Sequence, residues 1–387
     1  MEKPNKFLYV ILSHLARVYT RLVKNHHFHN PHHIKVVSPS FVISNHTSFF
    51  DFLYVMWALK STPVNFVVAR KYFETKPLST ILKWGHTIPK SLFQADTMAM
   101  KHILEVIKKG GVVSIFPEGQ ISITGVTLPF AHGFGKLIKK VGVPVYAVRT
   151  TGAYLKDPPW TTIKRQGRID SELVEALTPE EISQLTEDEI EEKLYKTILT
   201  NPYIEGGEVF KGKNLAKGLD NILYLCPHCH SEGKMVSTGN EMSCQECGYH
   251  YYVGADGWLL DPTRKTNIHE AYMYQRAYEK AKIINTPEFV FNIEVAVETI
   301  VDHHYIIDSR GTLKITKDTI DYISNDCYQF SIPTTVVRYV PFDAGRNFQI
   351  YHQNQLYQFI PSQPFLSTKA TIIIEEMYTI KTSEMLH

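Results

Sequence analysis

A histidine and an aspartate five residues apart form the feature of this sequence that is best suited to catalysis. Both lie in residues 45–51 (NHTSFFD), directly after a predicted strand at residues 41–44, and α/β proteins gather their sites at strand ends. On a regular helix this spacing separates the two side chains, so His46 should precede the helix. Asp51 in the first turn could then hydrogen-bond one ring nitrogen and leave the other free to accept a proton. Alternatively, Ser48 and Asp51 form a helix capping box and His46 is a loop residue.

A glutamate between a proline and a glycine is the second candidate. Glu118 and Gly119 follow the predicted strand Val112 to Phe116. A charged group in such a loop can meet a ligand. The alternative is a plain turn with a solvated Glu118, because Pro-x-Gly is a common turn sequence.

The elements around these residues alternate between short β-rich runs and helical patterns over residues 34–155. This alternation predicts an α/β domain with a mainly parallel sheet. The stretch from Asp170 to Glu192 is strongly acidic and contains no Lys or Arg, so we expect a solvated helix there. The Gly-rich stretch after Asn201 predicts a linker.

Taken together, His46 with Asp51 and the later residues 116–119 (FPEG) resemble the glycerolipid acyltransferase family, whose members include the 1-acylglycerol-3-phosphate acyltransferases. The resemblance covers residues 34–200. It implies that His46 is the general base that deprotonates an acceptor hydroxyl and that Asp51 orients it. The hydroxyl would attack the thioester of acyl-CoA or acyl carrier protein, without a covalent acyl-enzyme.

The same resemblance implies that Glu118, in the Glu118-Gly119 pair, and Lys90 contact the acceptor. We also expect Arg70 and Lys71 to supply positive charge toward an acceptor phosphate. Lys90 stands where the family usually has an arginine that contacts the acceptor phosphate; lysine keeps the charge and lacks the planar fork. The implied acceptor is a glycerolipid such as 1-acylglycerol-3-phosphate, and another lysolipid is the alternative.

Four of the five cysteines form two Cys-x-x-Cys pairs separated by fourteen residues: Cys226, Cys229, Cys244 and Cys247. This spacing resembles a zinc ribbon, in which four thiolates bind one structural zinc ion and leave no open coordination position. The fifth cysteine, Cys327, is expected to pack as a small hydrophobic residue.

The N-terminal segment Phe7 to Val23 predicts an amphipathic helix. Its cationic side would carry His14, Arg17, Arg21 and Lys24. The segment is too short and too charged to span a bilayer. A basic amphipathic helix can lie in the interface of an anionic membrane. Alternatively, the helix packs on its own domain.

From about Glu288 the chain is rich in β-branched and aromatic residues and ends in a helix-compatible stretch, Thr368 to Met377. This order of elements resembles a pleckstrin-homology-like domain. The expected organisation is a membrane-associating helix (1–25), an acyltransferase domain (26–200), a linker with the zinc ribbon and a helix (201–285), and the β-rich domain (286–387).

The overall composition excludes some functions. The net charge of +2 over 387 residues gives no general basic field for a nucleic acid partner. Too few cysteines are present for a disulfide scaffold, which indicates a reducing compartment. We therefore expect a peripheral protein on the cytoplasmic face of a membrane. The alternative to an enzyme is a lipid-binding zinc-ribbon adaptor without turnover.

Overall fold

A computed structural model describes residues 1–92, 96–205, 210–261, 263–325, 329–352 and 355–384. The chain forms two compact units. The first comprises Met1–Pro159 with Lys164–Gly212, and the second comprises Trp160–Ile163 with Lys213–His387. The chain passes between the units three times, whereas the sequence predicted one boundary after residue 200. The predicted linker residues 206–207 and Cys327 lie outside the described residues.

The first unit is built from strands that alternate with helices. Its strands are β1 (His26–His29), β2 (Ser40–Ser44), β3 (Val64–Ala69), β4 (Ile88–Lys90), β5 (Val112–Ile115), β6 (Val145–Thr151) and β7 (Ile169–Leu177). Its helices are α1 (Lys6–Val23), α2 (Asp51–Ala58), α3 (Leu78–Trp84), α4 (Thr97–Lys108), α5 (Phe134–Val141), α6 (Ala153–Lys156), α7 (Pro179–Gln184) and α8 (Glu187–Ile198).

These strands form one sheet in the order β1-β7-β6-β2-β5-β3-β4. The pairing of β6 with β7 is antiparallel, and the other pairings are parallel. Phe41, Val42 and Ile43 in β2 are fully buried, as expected for a strand that is covered on both faces. The prediction of an α/β domain with a mainly parallel sheet is therefore confirmed.

One edge of this sheet collects the predicted site residues. Strand β2 leads into His46, β5 leads into Glu118, β3 leads into Arg70, and β4 ends at Lys90. Because parallel strands end on the same edge, these four positions lie along it in the strand order β2-β5-β3-β4.

The prediction of a solvated helix over Asp170–Glu192 is wrong for the first part of this stretch. Residues up to 177 belong to β7, where buried Ile169 and Leu173 alternate with acidic residues. A period of two is the pattern of a strand with one buried face. The rest forms α7 and α8, which begin with capping boxes at Thr178 and Thr186.

Helix α1 packs on the first unit through small and polar side chains. Its buried residues are Tyr9, Ser13, Ala16 and Thr20. Its apolar side is exposed and consists of Phe7, Leu8, Ile11, Leu12, Leu15, Val18, Leu22 and Val23; we call these residues the apolar side of α1. Two cationic side chains turn toward the unit, since Arg17 lies over the Trp57 ring and Lys24 pairs with Asp157 at 2.8 Å. Within the described part of the chain, no helix is both long and apolar enough for a transmembrane span.

The second unit begins with a small antiparallel sheet in the order β12-β11-β10-β9-β8. The strands are β8 (Met235–Thr238), β9 (Glu241–Cys244), β10 (His250–Val253), β11 (Trp258–Leu260) and β12 (Lys265–Asn267). Helix α9 (Ile268–Asn285) follows directly.

A larger antiparallel sheet makes up the C-terminal part, in the order β16-β15-β14-β13-β19-β18-β17. Its strands are β13 (Val290–Val301), β14 (His304–Thr316), β15 (Thr319–Ser324), β16 (Gln329–Pro333), β17 (Phe342–Asp343), β18 (Asn347–His352) and β19 (Gln355–Pro361). Helix α10 (Leu366–Glu384) closes it and contributes Ala370, Ile373, Ile374 and Met377 to its core. A β-rich domain with one closing helix is what the sequence predicted; its membership of a pleckstrin-homology-like family stays a prediction.

Helix α9 joins the two sheets of the second unit. The side-chain Oε1 atom of Gln275 accepts hydrogen bonds from the main-chain N–H groups of Tyr224 and Leu225, at 2.9 and 3.0 Å. These two residues lie just before the first cysteine pair. The next residue, Arg276, pairs with Glu375 and Glu376 of α10 at 2.7 and 2.6 Å. We call the sheet of β8 to β12 the cysteine sheet and the sheet of β13 to β19 the C-terminal sheet. The sequence predicted them in separate domains, and in the structure they belong to one compact unit.

Candidate active site

The structure brings His46 and Asp51 together. The His46 Nδ1 atom lies 3.0 Å from Asp51 Oδ2. His46 is in the loop after β2, and Asp51 is the first residue of α2. The imidazole ring stacks on Phe116 with 4.3 Å between centroids, and it is about one-fifth exposed. Among the described residues no partner contacts Nε2, so this nitrogen is available to a substrate.

Asp51 is fixed by more than the histidine. Its Oδ2 atom also accepts the main-chain N–H groups of Thr47 and Ser48, at 2.7 and 2.9 Å. The side chain is fully buried. Burial raises the pKa of Asp51, and the hydrogen bonds from His46, Ser48 and Thr47 oppose that shift. The predicted capping box does not form, because Phe50 is the N-cap of α2 and makes no side-chain cap hydrogen bond.

Glu118 is buried at the start of the loop after β5. Its Oε1 atom accepts the N–H of His46 at 2.6 Å, and its Oε2 atom accepts the N–H of Leu128 at 2.7 Å. Burial raises the pKa of Glu118 well above its usual range, and these two N–H groups oppose the shift. The expectation of a solvated turn glutamate is therefore wrong. Gly119 does form the predicted turn, with a positive φ of 75° and its N–H donated to the carbonyl of Phe116.

The three predicted acceptor-binding cations have different surroundings. Arg70 pairs with Asp96 at 3.1 Å, and Asp96 also caps the N-terminus of α4. Lys71 lies over the ring of the tyrosine next to it. Lys90 is half-buried and donates weakly to the carbonyl of the next residue at 3.4 Å. Burial lowers the pKa of Lys90, and Asp96 opposes that shift. Lys90 has no carboxylate within ion-pair distance among the described residues.

Three contacts around His46 were not predicted from the sequence. Phe116 supports the ring, while Ser122 and Leu128 act through their main-chain N–H groups. Main-chain donors leave no mark on residue type, so this part of the site could not be found from a motif.

The four clustered cysteines form the second candidate site. Their sulfur atoms all lie within 4.8 Å of one another. The Cys226–Cys247 and Cys229–Cys244 sulfur distances are 3.7 and 3.8 Å. Four sulfurs about 2.3 Å from a tetrahedral zinc ion would be separated by about 3.8 Å. The four sulfur atoms could therefore hold one metal ion.

Comparisons with known proteins agree with the motif analysis. Residues 25–151 match the model of the Acyltransferase family. The 1-acyl-sn-glycerol-3-phosphate acyltransferase of Cocos nucifera is 32% identical over 117 residues, which are 29% of this chain and 37% of that protein. The enzyme of the same name from Limnanthes douglasii is 35% identical over 118 residues, 29% of this chain and 41% of that protein. The resemblance to glycerolipid acyltransferases is confirmed over this region.

A solved structure was also found. The crystal structure of the 1-acyl-sn-glycerophosphate (LPA) acyltransferase PlsC from Thermotoga maritima is 20% identical, with a TM-score of 0.44, and covers 50% of this chain and 77% of that one. The chain spans about two-fifths or less of the length of the curated relatives it matches.

Proposed function

We propose that this chain is an O-acyltransferase. It would move a fatty acyl group from acyl-CoA or acyl carrier protein to the hydroxyl of a glycerolipid acceptor such as 1-acylglycerol-3-phosphate. The observation that carries the proposal is the pairing of His46 Nδ1 with Asp51 Oδ2 at 3.0 Å, which leaves the Nε2 atom of His46 available to a substrate. Both residues lie inside the region that matches the Acyltransferase model.

The geometry supports general-base catalysis. The acceptor hydroxyl gives its proton to His46 Nε2 as its oxygen attacks the thioester carbonyl carbon. Asp51 holds Nδ1 and stabilises the imidazolium that forms. The tetrahedral intermediate then expels the thiolate, which takes the proton from the imidazolium and leaves as the free thiol. The products are the acylated lipid and the thiol of the carrier.

Lys90 is the side chain best placed for an acceptor phosphate. It lies at the end of β4, and β3 and β5 separate β4 from β2. Three strand spacings make about 14 Å. No carboxylate of the described residues lies within ion-pair distance of Lys90, so its ammonium group is available to a phosphate. Arg70 is already paired with Asp96, which makes it the weaker candidate.

A transfer assay tests the proposal. Purified protein receives isotope-labelled acyl-CoA, or acyl carrier protein, with a panel of lysolipids, and products are identified by mass spectrometry. We expect transfer by the wild type, near-complete loss in His46→Ala, and full activity in the matched control His32→Ala, which alters an exposed loop histidine. Unchanged transfer by His46→Ala would overturn the mechanism. A wild type that binds lysolipids and transfers nothing would favour the lipid-binding adaptor.

The exposed apolar side of α1 supports peripheral membrane attachment, the second part of the proposal. A soluble surface rarely exposes so many large apolar side chains together, and the lysolipid acceptor itself resides in membranes. We place the protein on the cytoplasmic face, because its cysteine pairs require a reducing compartment. Arg21, which is exposed near the end of α1, would meet anionic headgroups.

We also propose that the four cysteines bind one structural zinc ion. Main-chain N–H groups of residues 228–229 point at the Cys226 sulfur, and those of residues 246–247 point at the Cys244 sulfur. Such donors stabilise thiolate ligands. Four protein ligands would complete a tetrahedral shell, so the ion would support the fold rather than the reaction.

A further inference from the structure

We propose that Glu118 is a positioning residue of the catalytic base, which holds the main chain of His46, and that it does not contact the acceptor. This inference rests on the proposed acyl transfer. It differs from the acceptor-holding role that the family resemblance implies, and it assigns Glu118 a role in kcat rather than in acceptor affinity.

Each oxygen of the carboxylate holds one segment of this chain. One accepts the N–H of His46 at 2.6 Å and the other accepts the N–H of Leu128 at 2.7 Å. A carboxylate oxygen has a second lone pair, but the residue is only 2% exposed. An acceptor hydroxyl could reach that lone pair only by moving the surrounding loop, which would leave a buried N–H without a partner at a cost of about 1–3 kcal/mol. The carboxylate therefore binds two segments of this chain.

The main chain of His46 is held on both sides of its Cα atom by the same loop. Its N–H is donated to Glu118, and its carbonyl accepts the N–H of Ser122 at 2.8 Å. Thus residues 118–122 fix the backbone of His46, while Asp51 fixes its ring through Nδ1. Position and orientation of the base are controlled separately.

The loop that provides these contacts is itself anchored. Three tyrosine hydroxyls donate to its carbonyl groups: Tyr154 to Ile123 at 3.3 Å, Tyr203 to Thr124 at 2.7 Å, and Tyr195 to Thr127 at 3.2 Å. A support that is hydrogen-bonded along its length can keep Nε2 at a defined distance from the attacking hydroxyl. Errors of about 1 Å in such a distance can lower the rate by about 10²-fold.

The first test separates kcat from KM. In Glu118→Gln the side chain keeps its size, but its NH₂ group must face one of the two main-chain donors. We expect kcat to fall on the order of 10²-fold, with the acceptor KM within about twofold of the wild type. Glu175→Gln, on the exposed side of β7, is the matched control and should leave both constants unchanged. The pH profile of kcat/KM should also shift in Glu118→Gln, because a displaced His46 changes its hydrogen bond to Asp51.

The second test is independent of turnover. Hydrogen–deuterium exchange of the full-length protein should show faster exchange of the His46 and Leu128 amides in Glu118→Gln, and no change in Glu175→Gln. A raised acceptor KM with unchanged kcat and unchanged exchange would overturn the inference in favour of acceptor binding. If the wild type transfers no acyl group, the proposed function fails, whereas the exchange result still decides whether Glu118 holds His46.

Discussion

Lys24 places its ammonium group 3.7 Å from the centre of the Phe50 ring, and Phe50 directly precedes Asp51. Lys24 is the C-cap of α1 and also pairs with Asp157. The helix that exposes an apolar side therefore ends against the first turn of α2, which carries the orienting carboxylate. A cation over an aromatic ring is an attractive contact, so the position of α1 is tied to the position of Asp51.

Membrane binding should depend on the apolar side of α1 more than on its charges. Replacing Leu12 and Leu15 with Gln should weaken sedimentation with anionic vesicles at least about tenfold, because each buried leucine contributes on the order of 1.5–3 kcal/mol. Both side chains are exposed, so the fold should be retained. Ile204→Gln, which alters an exposed apolar residue elsewhere in the first unit, serves as the control. Equal vesicle binding by the wild type, the double leucine variant and Ile204→Gln would contradict a role of the apolar side of α1 in membrane binding.

Charge reversal of Arg17 should have a different effect. Arg17 lies over Trp57, and a glutamate there would lose that contact. The apparent Tm of Arg17→Glu should therefore fall, alongside any loss of vesicle binding. Thermal unfolding followed by circular dichroism in the absence of lipid checks this. A charge that acted only on the membrane would leave the Tm unchanged.

Asp51→Asn should impair turnover strongly. The Oδ2 atom accepts three donors, from His46, Thr47 and Ser48, while Oδ1 is buried without a hydrogen-bond partner. An asparagine oxygen can replace Oδ2, but an uncharged amide holds the three donors more weakly and removes the counter-charge of the imidazolium. We expect kcat to fall on the order of 10²- to 10⁴-fold, measured in the transfer assay with folding checked by circular dichroism. Activity within a few-fold of the wild type would contradict the orienting role.

Lys90 variants should distinguish acceptor types. Lys90→Ala should raise the KM for a phosphate monoester acceptor about tenfold or more, as expected for the loss of a charge-assisted contact. The KM for a lysolipid that is neutral at that end should change little. Lys90→Arg restores the charge and should recover most of the affinity. A uniform effect on both acceptors would show that Lys90 supports the fold of the site instead.

The pairing of Asp96 with Arg70 predicts a pH-dependent stability. Burial raises the pKa of Asp96, but the N–H groups of Ser91 and Ala99 and the Arg70 guanidinium outweigh it and lower the pKa from 3.8 to about 2. A carboxyl group whose pKa is lower in the folded state than in the unfolded state stabilises the fold at pH values above its unfolded-state pKa. This stabilisation is lost as the pH falls through the folded-state pKa. Asp96→Ala should lower the Tm at pH 7, since loss of a helix cap costs about 1 kcal/mol. The difference in Tm between the wild type and Asp96→Ala should become smaller between about pH 4 and pH 2. A Tm difference that did not change with pH would show that the Asp96 carboxylate does not contribute its charge to stability.

Removal of one cysteine should affect the second unit. Cys226→Ser should lower zinc content, measured by mass spectrometry of the metal, and should destabilise the segment that Gln275 binds. The folded fraction should keep acyl transfer, because the ion has no open position for chemistry. Cys226 is buried and directly follows that segment in the chain. Folded, zinc-free protein without turnover would show that the metal serves the reaction.

The sequence predicted the chemistry of the site better than its support. Types and spacing were enough to pair His46 with Asp51 and to group the four cysteines, because side chains carry that information. The hydrogen bonds of Glu118 were not predictable, since its partners are main-chain N–H groups from residues 46 and 128. Strand β7 was missed because its acidic residues outweighed the alternation of Ile169 and Leu173. The apolar side of α1 was predicted, but only the structure shows that Tyr9, Ser13, Ala16 and Thr20 face the unit while the apolar side is exposed.

The neighbouring residues Gln275 and Arg276 on α9 limit how this protein can be divided. A fragment that ended after α9 would leave the Arg276 guanidinium without Glu375 and Glu376, and breaking a buried ion pair on one side costs about 3–5 kcal/mol. A fragment that began after the cysteine sheet would leave the Gln275 carbonyl without its two donors. Genetic rearrangements that insert or delete either sheet alone would therefore produce unstable proteins. We expect the two sheets to be gained or lost together in evolution, as one module.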